Sequence, residues 1–271
     1  MSNIPAIGQY FEELDVIDST NNYAMARVSS GQIGHGYACS ARRQTAGKGQ
    51  RGKDWHTEEG TAIILSAVVE PAHLPPGDQF MLSATVALGA WDFFRRYAGT
   101  ETSIKWSNDL YWRDRKAGGI LIENVLRGNR WSHAVIGIGI NINEERFPPQ
   151  LPNPVSLKQI TGHHYDVRQL TRELCTCLER RYRQLQPSQY ARILAEYTGA
   201  LFRLNEPARY RNRQGDFKGT IKGVKPDGRL LLQTDEQLLE ALQGEIEFVL
   251  SSPAPFSIKQ NRPAGQQGSS D

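Results

Sequence analysis

Apolar positions along the chain repeat at two spacings, and each spacing predicts its own kind of element. TAIILSAVV, residues 61–69, is nearly continuous and rich in branched side chains, as in a strand covered on both faces. From Asp78 to Tyr97, Phe80, Ala84, Ala87, Leu88, Trp91 and Phe94 return at helical spacing, and Gly99 predicts the stop. Asp18-Ser19-Thr20-Asn21 reads as a cap before the helical stretch NYAMARVSS, which Gly31 can end in a left-handed conformation. Tyr37 to Ala41 reads as a strand. Further short strands follow at 103–106 (SIKW), 118–126 (GGILIENVL) and 130–142 (RWSHAVIGIGINI), with Gly128-Asn129 as a two-residue hairpin signal. Asp166 predicts the cap of a second helix running to about Leu185, and a shorter helix occupies about 188–198.

After Leu201 the texture changes to short strands and tight turns. Gln214-Gly215-Asp216 and Pro226-Asp227-Gly228 are turns with a backbone reason, since proline presets φ and glycine tolerates positive φ. FKGTIKGV, LLLQT and EIEFVL between and after them suggest a small barrel over 202–251, beside a larger domain over 1–201. The polar, Pro/Gly-rich stretch 252–271 reads as a disordered tail.

Charge narrows the function classes. The formal net charge is +3, from 32 basic and 29 acidic residues, which argues against a general nucleic-acid binder. No basic and apolar leader is visible at the start, and no run approaches the ~18 apolar residues a membrane span needs. The three cysteines, Cys39, Cys175 and Cys177, fit neither a disulfide framework nor zinc spacing, so reduced thiols in a cytoplasm are expected.

Four segments carry candidate chemistry. RRQTAGKGQRGKDW, residues 42–55, holds Arg42, Arg43, Lys48, Arg51 and Lys53, with Gly47, Gly49 and Gly52 letting the backbone N–H groups converge on an anion. The glycines spell G-x-G-x-x-G, but no apolar strand precedes them directly and no helix follows, so a dinucleotide fingerprint fails. A P-loop fails too, because Gly49 follows Lys48. Phosphate binding and a solvated or RNA-contacting loop remain the two readings, with Trp55 read as core. In IKWSNDLYWRDRKAGGILIE, residues 104–123, Lys105 lies in an apolar strand and needs a charge, which Asn108-Asp109 could provide. Lys116 opens a strand beside Gly118-Gly119, where a ligand can approach closely or the lysine can simply face solvent. In VIGIGININ, 135–143, Gly137 and Gly139 bare one strand face for a cofactor, a second chain or a packed helix, and Asn141 emerges at its end. Asp18-Ser19-Thr20-Asn21 is a helix cap, a role compatible with binding a ligand at that terminus.

Taken in order, DSTN, QTAGKGQRGKDW, KWSNDL, KAGGIL and GIGIN over about 18–143 resemble the motifs of the biotin protein ligase family, and FKGTIKGVKPDGRLLL…GEIEFVL resembles its small SH3-like domain. The resemblance implies an α+β fold: a mixed-sheet catalytic domain of class II synthetase type with a C-terminal SH3-like barrel. It implies ATP and biotin as substrates with Mg2+, and a biotin carboxyl carrier protein or domain as acceptor. Ser19, Thr20, Asn21 and Gln44 would then hold biotin's ureido ring and neighbouring groups, and Lys48, Gly49 and Gln50 would belong to a loop closing over biotin and the adenylate. Lys116 would face the biotin carboxylate and α-phosphate, with Lys48, Arg51, Lys105, Asn108 and Asn141 near the nucleotide. Catalysis would fall to Lys116 and Lys105, with Asp109 as proton acceptor or orienter. Lys48 and Gln50 stand where the family's bacterial pattern often has arginine, and Ser107 where it has proline.

Two rivals stand beside this reading: a lipoyl or octanoyl ligase, and a nonenzymatic nucleic-acid-binding regulator using the 42–53 loop. Some family members carry an amino-terminal helix-turn-helix. Only about seventeen residues precede DSTN here, so no sequence-specific DNA binding is expected. No membrane association is expected either, and the GIGIN strand is a candidate for pairing two subunits.

Overall fold

A computed structural model describes residues 4–71, 74–128 and 130–250. Seven strands form one mixed sheet: β1 (Tyr10–Ile17), β2 (Tyr37–Gln44), β3 (Ala62–Val69), β4 (Thr102–Lys105), β5 (Asp109–Trp112), β6 (Arg115–Arg127) and β7 (Arg130–Asn141). Their order is β1-β2-β3-β7-β6-β5-β4, with β1 and β2 parallel and the other neighbours antiparallel. The expected α+β class holds.

Every residue of β3 is buried, as its unbroken apolar run requires. Its alternate side chains serve two layers. Leu65, Ala67 and Val69 join the main core under α2 (Gln79–Ala98), while Val68 packs with Ala24 and Val28 of α1 (Thr20–Ser29). α1 and α2 therefore cover opposite faces of the sheet. Ser19 caps α1, accepting from Asn22 N, and Gly99 ends α2 at φ 81°. α3 (Leu157–Thr161) and α4 (Val167–Tyr182) follow, α4 capped by Asp166 as expected, and then α5 (Tyr190–Gly199).

The remaining strands, β8 (Pro207–Asn212), β9 (Gly215–Val224), β10 (Leu230–Gln233), β11 (Leu238–Ala241) and β12 (Glu247–Phe248), form a five-stranded antiparallel sheet in the order β11-β10-β9-β8-β12. It is not a separate bead. Phe202, Tyr210, Ile221, Leu232 and Phe248 belong to the same apolar core as Ile104, Trp106 and Tyr111, and Trp106 Nε1 donates to the Gly228 carbonyl at 3.0 Å.

Two local expectations need amendment. β1 was not expected, and β2 runs three residues past Ala41, to Gln44. The Gly128 turn has φ 58°, but Asn129 lies outside the described residues, as do 251–271, which include the 252–271 expected as a disordered tail. Cys39, Cys175 and Cys177 are free and buried, and burial pushes the Cys39 and Cys175 thiols up to about 12. Among the described residues no helix is long and apolar enough to cross a membrane.

Candidate functional site

Between the N-terminus of α1, the 45–56 loop and the β6–β7 pair lies a cleft of about 350 Å3. Ser19, Thr20, Asn21, Gln44, Lys48, Gly49, Gln50, Arg51, Asn108, Asp109, Lys116 and Asn141 all line it. Segments separated by some hundred residues meet there for a topological reason: α1 crosses β3 and β7, while β6 returns beside β7.

The first corner is polar and buried. Ser19, Thr20 and Asn21 are each at most 3% exposed. The Thr20 backbone N–H donates to Gln44 Oε1 at 2.8 Å, and Thr20 Oγ1 lies 3.1 Å from the same oxygen. Gln44 reaches this position across Gly47: a Cβ built at Gly47 would stand 2.6 Å from Gln44 Nε2 and 2.3 Å from the Trp55 carbonyl.

The cleft floor is β7. A Cβ at Gly137 would fall 2.4 Å from Asn21 Oδ1, and one at Gly139 2.4 Å from the Trp55 indole. The bare glycine face is thus covered from within the chain. β7 is also hydrogen-bonded on both sides, to β3 and β6. The strand expected to pair two subunits is interior, because its missing side chains make room for α1 and the loop. Trp55, expected in the core, is a half-buried wall of the cleft, and its indole N–H has no partner among the described residues.

At the other side Lys116 Nζ lies 2.7 Å from Asp109 Oδ1. The register sets Asp109 opposite Gly119, whose missing side chain leaves space for both groups. Asn108 Nδ2 donates to the Ile120 carbonyl at 2.7 Å and Asn141 Nδ2 to the Val155 carbonyl at 3.2 Å, so each side chain is fixed by backbone. The Ser107 carbonyl accepts from Tyr197 Oη at 2.7 Å, pinning the turn before Asp109.

Lys105 departs from expectation. It does not line the cleft, and the Asp109 carboxylate pairs with Lys116. Its Nζ instead sits 5.2 Å from the Tyr111 ring centre and 5.1 Å from that of Phe248, on the small sheet. Burial holds its pKa below the ordinary lysine value, with the Asp109 charge opposing.

The loop is folded over the cleft as a narrow hairpin, with Gly49 N donating to Lys53 O at 2.6 Å and Trp55 N to Gly47 O at 2.9 Å. Lys48 Nζ reaches Asn22 Oδ1 at 2.5 Å. Gln50 contacts the Gln243 side chain, and Arg51 contacts the Gln243 carbonyl. Arg51 holds φ 58°, a left-handed conformation that costs a residue with a Cβ roughly 1–2 kcal/mol. Both contacts are with the turn between β11 and β12.

Ser66 and Glu123 went unnoticed in the sequence. Ser66 is completely buried on β3 and touches Thr20 and Asn21, and Glu123 on β6 holds Asn21. A lone serine inside TAIILSAVV was the available signal: a hydroxyl in a strand covered on both faces needs a polar partner.

Residues 13–141 match the biotin/lipoate A/B protein ligase family. The bifunctional ligase/repressor BirA of Bacillus spizizenii is 30% identical over 89% of this chain and 75% of its own length. The biotin–[acetyl-CoA-carboxylase] ligase of Mycobacterium tuberculosis is 27% identical over 88% of this chain and 90% of its own. Among solved structures, the Aquifex aeolicus biotin protein ligase in complex with biotin and ATP superposes with a TM-score of 0.75 at 24% identity, covering 90% of this chain and all of that one.

Proposed function

The chain belongs to the biotin protein ligases of the biotin/lipoate A/B protein ligase family, and from that premise we propose that it condenses biotin with ATP to biotinyl-5′-AMP and then transfers the biotinyl group to a lysine of a biotin carboxyl carrier protein or domain. The observation that carries this reading is the pairing, within one cleft, of the buried Ser19-Thr20-Asn21/Gln44 corner with the Lys116–Asp109 pair. A neutral cyclic urea suits the first and a carboxylate meeting a phosphate suits the second.

Biotin's carboxylate is ionised at neutral pH and attacks the α-phosphate without a general base. Two anions must nevertheless meet, and charge builds on the phosphorus oxygens. Lys116 lies between them and neutralises both. Asp109, with Oδ1 engaged by Lys116, orients that ammonium. Asn108 and Asn141, fixed by backbone carbonyls, meet the nucleotide together with Lys48 and Arg51 of the loop. Lys105, boxed by Tyr111 and Phe248, contributes charge from behind the cleft and ties it to the small sheet.

The described residues hold no cluster of three His, Cys, Asp or Glu suited to a metal. That donor set fits a magnesium ion carried by the nucleotide's own phosphates, with Asp109 and Asp54 as the carboxylates lining the cleft. Bound there, magnesium would neutralise the departing pyrophosphate. The mixed anhydride formed is labile to water, which is the reason for a loop over it. The acceptor lysine attacks its acyl carbon as a neutral amine, and AMP leaves. Release of pyrophosphate from ATP that requires biotin supports the reading; release with lipoate and none with biotin refutes it.

A further inference from the structure

Five side chains around the polar corner form one hydrogen-bonded chain, and its proton order can be read from one end. Asn21 Nδ2 donates to Glu123 Oε2 at 2.8 Å and to the Leu121 carbonyl at 3.4 Å. A carboxylate accepts and cannot donate, so the amide nitrogen of Asn21 must face Glu123. Its oxygen then faces Ser66, whose Oγ lies 2.6 Å away and donates to it. Ser66 has only one proton. The Thr20 proton can go to Ser66 Oγ at 2.8 Å or to Gln44 Oε1 at 3.1 Å, and the shorter contact takes it. Thr20 Oγ1 and Gln44 Oε1 are left 3.1 Å apart with no proton between them, and Gln44 Oε1 already accepts the Thr20 N–H. Both residues line the cleft; Ser66 and Glu123 do not.

We propose that Glu123 and Ser66 are positioning residues that set the polarity of the Thr20–Gln44 corner, making it a pair of acceptors for a ring N–H of the substrate. The inference rests on biotin being that substrate. Glu123 acts at a distance: it orients Asn21, Asn21 orients Ser66, and Ser66 takes the proton of Thr20. A ring without N–H groups would leave two acceptors facing each other unfilled, a loss a desolvated site feels strongly. The same chain explains why a serine interrupts the apolar run of β3.

The test uses Glu123→Gln and Ser66→Ala in the full chain, with biotin-dependent pyrophosphate release as the assay and circular dichroism as the check on folding. Glutamine at 123 allows the Asn21 amide to turn over, and alanine at 66 breaks the chain. Each substitution should raise the KM for biotin by about tenfold, the scale of one hydrogen bond, and leave kcat and the KM for ATP unchanged. In an Asn21→Ala background, Glu123→Gln should have no further effect. An unchanged biotin KM in Glu123→Gln, an equal fall in kcat, or the same penalty without Asn21 would each overturn the proposal. Should Ser66→Ala not fold, Glu123→Gln and its pairing with Asn21→Ala decide alone. A wild-type chain that releases no pyrophosphate with biotin would refute the ligase reading itself, and an active wild type with an indifferent Glu123→Gln would refute only this inference.

Discussion

Lys116 and Asp109 are joined across two neighbouring strands, Nζ to Oδ1 at 2.7 Å, with Gly119 leaving the space in which they meet. If the ammonium stands between two anions, Lys116→Ala should lower biotin-dependent pyrophosphate release by about 10²–10³-fold, the usual loss for one such donor. The fold should survive, because the side chain is partly exposed near the start of β6. Arginine should rescue poorly, since a planar fork replaces a compact charge badly between two ligand groups. Near-normal release by a folded Lys116→Ala protein would move the role to Lys105.

Loop 45–54 carries Gly47, Gly49 and Gly52 among Lys48, Arg51 and Lys53, a stretch that is costly to order without an anion. Its hairpin bonds are few, and its side chains reach outward to Asn22, to the Ile120 carbonyl and to Gln243. Protease should cleave this loop in the free protein and spare it once biotin and ATP are present. Equal cleavage in both states would count against a closing loop.

Glu144 lies at 2% exposure, with neither carboxylate oxygen hydrogen-bonded among the described residues, and the Thr61 hydroxyl beside it donates instead to the Glu58 carbonyl. Burial, with Glu58 nearby, pushes its pKa from 4.5 up to about 7. The folded state therefore holds this proton more tightly than the unfolded chain. Its stabilising contribution is complete below 4.5 and is lost as pH rises toward 7. That loss is on the order of 3 kcal/mol. Glu144→Gln should flatten the fall in melting temperature across this window, and a variant with the wild-type slope would refute the assignment.

The sequence made the covered strand, the long helix and the cap at Ser19 legible because each is written in neighbouring residues. β1 was hidden: YFEELDVI mixes charge into both faces, as an edge strand half open to water allows. The site was legible as a set of segments and much less as pairings. Asp109 looked like a partner for Lys105, and the β4–β5 register does set the two opposite each other, but its carboxylate bonds Lys116 from β6, and the Lys105 ammonium turns to Phe248, 143 positions on. Trp55 read as core because an indole is apolar; that it lies on Gly139 depends on how the loop folds back.

The central claim is a transfer between molecules, and the mass of the acceptor measures it. The intact chain, incubated with ATP, biotin and a biotin carboxyl carrier domain, should add one biotinyl group to that domain. The addition should vanish without ATP and when the acceptor's target lysine is replaced by arginine. An acceptor of unchanged mass, in the presence of a folded enzyme and all three reactants, would contradict the account.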